Sequence, residues 1–182
     1  MIDTRQYALV RTAAPASEPV TLEDAKLYLR VDADTEDDMI TDMIVSARMA
    51  AEQFLRRALI TQTWKLSYDE HLEEQVILSV TPVTSISSIT IFDRSGASNL
   101  LSSDTYYLNA AKDVLMVDNV IFGHRVEVVF TAGYGNAADV PSPIKHGILN
   151  HIAAMYDIRG MESVSMPEIT KQVYMPFRQV RL

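Results

Sequence analysis

Cysteine is absent from the 182 residues, which excludes disulfides, thiolate metal sites and thiol nucleophiles. That absence fits assembly in a reducing cytoplasm. No apolar run approaches the roughly 20 residues that a bilayer-spanning helix needs, so no membrane partner is expected. The segment from Met1 to Arg11 carries Asp3 and lacks an apolar core, so no secretory signal is expected there. Internal repeats and low-complexity linkers are missing too. The nearest thing to a flexible lead-in is the stretch from Thr12 to Pro19. Clustered base is also scarce. The formal net charge is −8, and wrapping nucleic acid requires a basic surface that neutralises phosphates. A DNA-binding packaging factor is disfavoured on that ground.

The charge that is present is unevenly spread. Nine acids between Glu18 and Asp42 face only Lys26 and Arg30. From Lys171 onward the bases Lys171, Arg178 and Arg181 meet no acidic side chain. The plain reading is a solvated acidic face and a short basic tail. The sharper one is complementary ends that neighbouring subunits or a partner would read.

Hydrophobic periodicity changes twice along the chain. Thr21 with Asp24 three residues on has the form of a capping box, and Leu22, Ala25 and Leu29 give the helix behind it an apolar stripe that ends at Val31-Asp32. A longer helix is predicted from Thr35, with Glu36, Asp37 and Asp38 favourable at its N-terminal dipole. Its stripe runs from Met39 and Ile40 to Leu55 and Ala58. From Thr61 the period becomes two. Trp64, Leu66 and Tyr68 alternate, then Val76, Leu78 and Val80, up to Pro82. Ile89 and Ile91 lead into the turn Asp93-Arg94-Ser95-Gly96. Tyr106 and Leu108, Val114 to Val117, and Val126 to Phe130 complete about six strands, the pattern of a small antiparallel sandwich or barrel. Gly133 and Gly135 turn the chain out of the last strand. Ser142 as cap and Pro143 at the first helical position open a final helix to about Arg159, with Ile144, Ile148, Ile152 and Met155 on one face and Gly160 as its stop. The fold class is therefore α+β. Residues 1–60 form a lead-in and two helices, 61–135 an inserted β-rich domain, 136–160 a helix completing the bundle, and 161–182 an extended tail. With Pro167 and Pro176 and no sustained period, that tail needs a surface to offset its ordering entropy.

Site chemistry is tested and rejected. Asp32, Asp34 and Glu36 match the first acidic positions of a calcium loop, but Asp37 stands where Gly is required and Met43 where the bidentate Glu belongs. Gly133-Tyr134-Gly135 lacks the third Gly of a dinucleotide fingerprint and any Gly-Lys-Ser/Thr. His146 and His151 are five apart and do not share a helix face as metal-binding histidines at i, i+4 would. His71 and His124 fall in apparent turns. No Ser lies in a Gly-x-Ser-x-Gly elbow. No catalytic, metal or cofactor residue is assigned, and no enzyme is expected. The alternative from another class is a carbohydrate-binding or hydrolytic module on the β-region that uses exposed Trp64, Tyr106 or Tyr107.

Three blocks, in order, carry a resemblance. They are Pro19-Val20-Thr21-Leu22-Glu23-Asp24-Ala25-Lys26 with Leu29-Arg30-Val31 and Glu36-Asp37-Asp38; Arg57-Ala58-Leu59-Ile60-Thr61-Gln62-Thr63-Trp64; and Phe130-Thr131-Ala132-Gly133-Tyr134-Gly135 with Val140-Pro141-Ser142-Pro143-Ile144-Lys145. Together they resemble the head–tail connector (portal adaptor) proteins of tailed phages, prophages and gene transfer agents, over about Pro19 to Ile158. The resemblance implies a non-enzymatic adaptor in the virion neck, assembled in the host cytoplasm. It implies a ring, commonly twelve-fold, beneath the portal protein, which receives a stopper or tail-completion protein and lets genomic DNA pass without sequence-specific binding. It also implies a C-terminal segment that reaches the portal. Here that segment holds Val173, Tyr174, Met175, Pro176, Phe177, Arg178, Val180 and Arg181, apolar anchors separated by bases, the form of a segment that orders on binding.

Overall fold

The computed structural model describes residues 7–158 and 165–179. Gly160, Val180 and Arg181 lie outside them. The chain divides into two compact units, one of residues 1–15 and 61–133, the other of residues 16–60 and 134–182.

The first unit is built from antiparallel strands. Its larger sheet has the order β1 (Tyr7–Ala13), β2 (Gln62–Leu72), β8 (Ile121–Ala132), β4 (Val83–Phe92) and β5 (Ser98–Leu100). A second sheet of three strands runs β3 (Gln75–Ile77), β7 (Val114–Val117) and β6 (Tyr106–Leu108). Both sheets are open, so the barrel option is set aside. Alternation decides the faces. Val126, Val128, Phe130 and Ala132 are all fully buried, and Trp64 pairs with Phe130 and Leu66 with Val128 across β2 and β8. The turn at Asp93 forms as read: its carboxylate accepts the Ser95 and Ala97 amides, and Gly96 takes a φ of 86°.

Four departures belong to this unit. Tyr7–Ala13, for which no strand was expected, pairs with β2 as an edge strand, Leu9 opposite Leu66, and takes in the first two residues of the stretch read as flexible from Thr12. Strand β3 is only Gln75–Ile77, shorter than the run read from Val76 to Val80, and the Leu78 amide makes one further in-register bond to the Asp113 carbonyl. The three-residue strand β5 carries no alternating signal and is fixed by its pairing with β4. His71 and His124 lie within β2 and β8 rather than in turns.

The second unit is helical. Helix α1 (Leu22–Leu29) has the capping box at Thr21 and Asp24, with the Asp24 amide 3.0 Å from the Thr21 hydroxyl. Residues Asp34–Glu36 make a 3₁₀ turn, so α2 begins at Asp37 rather than Thr35 and runs to Leu55. Both helices close on an arginine in the left-handed region, Arg30 at φ 58° and Arg56 at φ 56°. Helix α3 (Ser142–Asp157) starts one residue earlier than read. Pro141 is its cap residue, Ser142 is its first helical position rather than its cap, and the Pro141 carbonyl accepts the Ile144 amide. The core gathers Ile40, Ile44, Ala47, Ala51 and Leu55 of α2 with Ile144, Ile148 and Ile152 of α3. The tail is not extended where it is described: Glu168–Tyr174 forms α4, followed by a 3₁₀ turn over Met175–Phe177.

Candidate functional site

The candidate site is the C-terminal segment and the helices beneath it. Helix α4 lies on α3 at Gly147, where a Cβ would overlap the Tyr174 ring. Tyr174 is fully buried and its ring stands 6.1 Å from that of Phe54. Val173 and Phe177 pack partly buried against the same core. Beyond the helix, Arg57 Nε donates to the Phe177 carbonyl at 2.6 Å, and the Gln179 amide donates to the Leu55 carbonyl at 3.0 Å. The Arg178 guanidinium lies 5.0 Å from the centre of the Phe54 ring, a cation–π contact. The surface that the tail needs is therefore present in its own unit. Of the sequence-assigned anchors, Tyr174 is core, Val173 and Phe177 are half-buried, and Met175, Pro176 and Arg178 face outward, joined there by Ile169. The signal that sequence reading missed is Gly147, whose missing side chain makes the slot for Tyr174.

Much of the acidic stretch is engaged inside this unit. Arg48, 4% exposed, donates from Nε to Glu18 at 2.7 Å and from Nη1 to Glu52 at 2.9 Å, while Glu52 also accepts the Leu59 amide. This network ties the approach to α1, the middle of α2 and the turn after it. Lys26 bridges Asp34 at 2.6 Å and Asp37 at 2.7 Å. The hydrogen bond from Lys26 holds the Asp34 carboxyl below its ordinary range. Tyr156 donates its hydroxyl to Glu36. Glu23, Asp32, Asp38 and Asp42 remain exposed. The glycine turn is closed by a carboxylate: Asp139 accepts the Asn136 amide at 2.8 Å and occupies the space beside Gly135, where φ is 132°. A phosphate would meet a negative charge there. Among the described residues no group of three or more histidines and carboxylates is placed to hold a metal, and no helix is long and apolar enough to cross a membrane.

The aromatic residues considered for sugar binding do not form one platform. Trp64 is half-buried on β2 with its indole nitrogen enclosed, whereas Tyr106 and Tyr107 sit on β6 of the other sheet. His146 is exposed on α3 and meets Tyr28 edge-on, while His151 is buried.

The comparisons with known proteins agree with this architecture. A chain in the neck of an empty GTA particle, computed with C6 symmetry, superposes with a TM-score of 0.82 at 18% identity, covering 96% of this chain and 97% of that one. A chain in the virion of a native gene transfer agent particle gives 0.81 at 20% identity, covering 96% of each. A third, in the neck of a native GTA particle computed with C12 symmetry, gives 0.76 at 21% identity, covering 96% of this chain and 97% of that one. At such identities the likeness is one of fold. No curated protein matches the chain. The family model described as head completion protein matches residues 18–149, from the approach to α1 into α3 and short of α4. That span is well over half the chain, and the chain belongs to the head completion protein family.

Proposed function

We propose that the protein is a structural head–tail connector of a tailed phage or phage-like particle, without catalytic activity. Its place is the virion neck, reached after assembly in the host cytoplasm. Copies form a ring, twelve-fold in the particle, below the portal protein. The ring joins the DNA-filled head to a stopper or tail-completion protein, and DNA passes through it without sequence-specific contact. The observation that carries the reading is the family match over residues 18–149, supported by a shared fold with chains of GTA particle necks. The exposed acids of α1 and α2 suit a channel that repels phosphate rather than gripping it.

Portal contact is assigned to the C-terminal segment. Because Tyr174 belongs to the core of the helical unit, its outer face supplies the first anchors: Ile169 and Met175, 62% and 57% exposed, and Arg178. Replacing Ile169 and Met175 by Asp leaves Tyr174 in place, so the helical circular dichroism should be unchanged. Attachment of the purified protein to portal-bearing heads should be lost. Full attachment by the doubly substituted protein would remove this segment from the portal interface.

A further inference from the structure

Along the seam between α3 and α4, a cluster of buried polar atoms has no partner among the described residues. Gly147 and His151 stand one turn apart on α3, and Thr170 and Tyr174 one turn apart on α4, so each pair shares a helix face. Tyr174 and Thr170 are fully buried and His151 is 4% exposed. Neither hydroxyl and neither imidazole nitrogen is hydrogen-bonded. Burial holds the His151 imidazole below its ordinary pKa and pushes the Tyr174 hydroxyl up, as for groups that gave up water and gained nothing in return. The rest of the attachment runs through one short helix and the turn after it. A helix of seven residues is too short to persist alone, and Pro167 provides no side-chain cap. Its described fastenings are the Tyr174 ring in a glycine slot, Val173 and Phe177 partly buried on the core, a guanidinium on Phe54, and hydrogen bonds to α2 and the turn after it.

We propose that α4 and its following 3₁₀ turn are an exchangeable strap, docked in the free protein and released as one unit while α1, α2 and α3 stay folded. The inference deepens the assignment of portal contact and rests on it for its purpose. Release would present Val173, Tyr174 and Phe177, which the docked form withholds, and would free the Tyr174 hydroxyl to find a partner. The closed form keeps an anchor-rich segment covered until a competing surface is present.

Amide hydrogen exchange on the full chain tests the strap without any partner. Val173 and Tyr174 should exchange through a partial opening with a urea dependence well below that of α2, at least about a hundredfold faster than Ala47 and Ala51 there. Tyr174→Phe removes one buried unmet hydroxyl and should slow exchange in α4 about tenfold, leaving α2 unchanged. Exchange of α4 at the rate and urea dependence of α2 would overturn the strap, as would faster exchange in Tyr174→Phe. Attachment of Tyr174→Phe to portal-bearing heads should be slowed in proportion. If exchange slows and attachment does not, the strap stands and the portal assignment of this segment falls.

Discussion

At the scale of single residues, His151 is the group whose burial has the clearest thermodynamic consequence. Desolvation lowers its pKa from the ordinary value of 6.5. In the unfolded chain the imidazole takes a proton as pH falls through about 6.5. The folded chain takes that proton only at lower pH, so between the two pKa values the unfolded state binds more protons and stability rises with pH. The contribution is fully present above 6.5 and is lost as pH falls from there through the folded pKa. His151→Leu abolishes this dependence and removes two buried nitrogens that have no partner among the described residues. Urea midpoints at pH 7.5 and 5.5 should therefore differ less for the variant than for the parent. Equal losses in the two proteins would mean that a hydrogen-bond acceptor or water stabilises the protonated imidazole of His151 in the folded chain. His151 also shows where residue-scale reading of a sequence stops. Spacing set it off the helix face of His146, and the structure has His146 exposed and His151 buried. Nothing in the spacing could say that its ring would be buried with no partner among the described residues, because that depends on where residues 165–179 return.

At the scale of elements, what was legible followed local chemistry and what was missed followed tertiary contact. The box of Thr21 and Asp24, the period-two runs around Leu66 and Val128, and the turn at Asp93 are each decided within a few residues, and each formed as read. Strand β1 was hidden because Tyr7–Ala13 is exposed along nearly its whole length. An edge strand takes its order from the neighbour it pairs with, not from a buried face of its own. Helix α4 was hidden for the complementary reason: its apolar residues answer a slot made by a glycine on another helix. Of the candidate site, the anchor residues were legible as types, while their division into buried Tyr174 and exposed Met175 was not. The end of α2 also escaped, since Arg56 in the left-handed region replaces the usual glycine. The cap at Thr21 gives a direct measure of how far local chemistry matters. Thr21→Ala leaves the Asp24 amide without its acceptor and should lower unfolding stability by about 1 kcal/mol, read as a shifted urea midpoint with unchanged slope. A loss under a few tenths of that would show that α1 is held by packing alone, through Leu22, Ala25 and Leu29.

At the scale of the whole molecule, the proposed ring brings copies of the chain together, and the charge sets its terms. Each chain carries −8, so a ring of twelve carries twelve times that, a formal −96. Some of the acid is neutralised internally, as at Arg48 and Lys26, yet the net charge remains on every copy. Like charges brought together around a channel repel over about a Debye length, roughly 10 Å at 0.1 M salt and 3 Å at 1 M. Contacts between neighbouring copies must overcome that repulsion, and salt weakens it. Ring formation by the purified protein should therefore rise with ionic strength between about 0.05 and 0.5 M, a range over which the Debye length shortens severalfold. This is the reverse of a phosphate-gripping protein, whose DNA affinity falls steeply over the same range. Sedimentation velocity at fixed protein concentration can follow the ring fraction, with a matched titration against duplex DNA as the counterpart. If salt dissolved the ring instead, ion pairs between copies would outweigh the shared negative charge, and the acidic stretch from Glu18 to Asp42 would belong to the subunit interface rather than the channel.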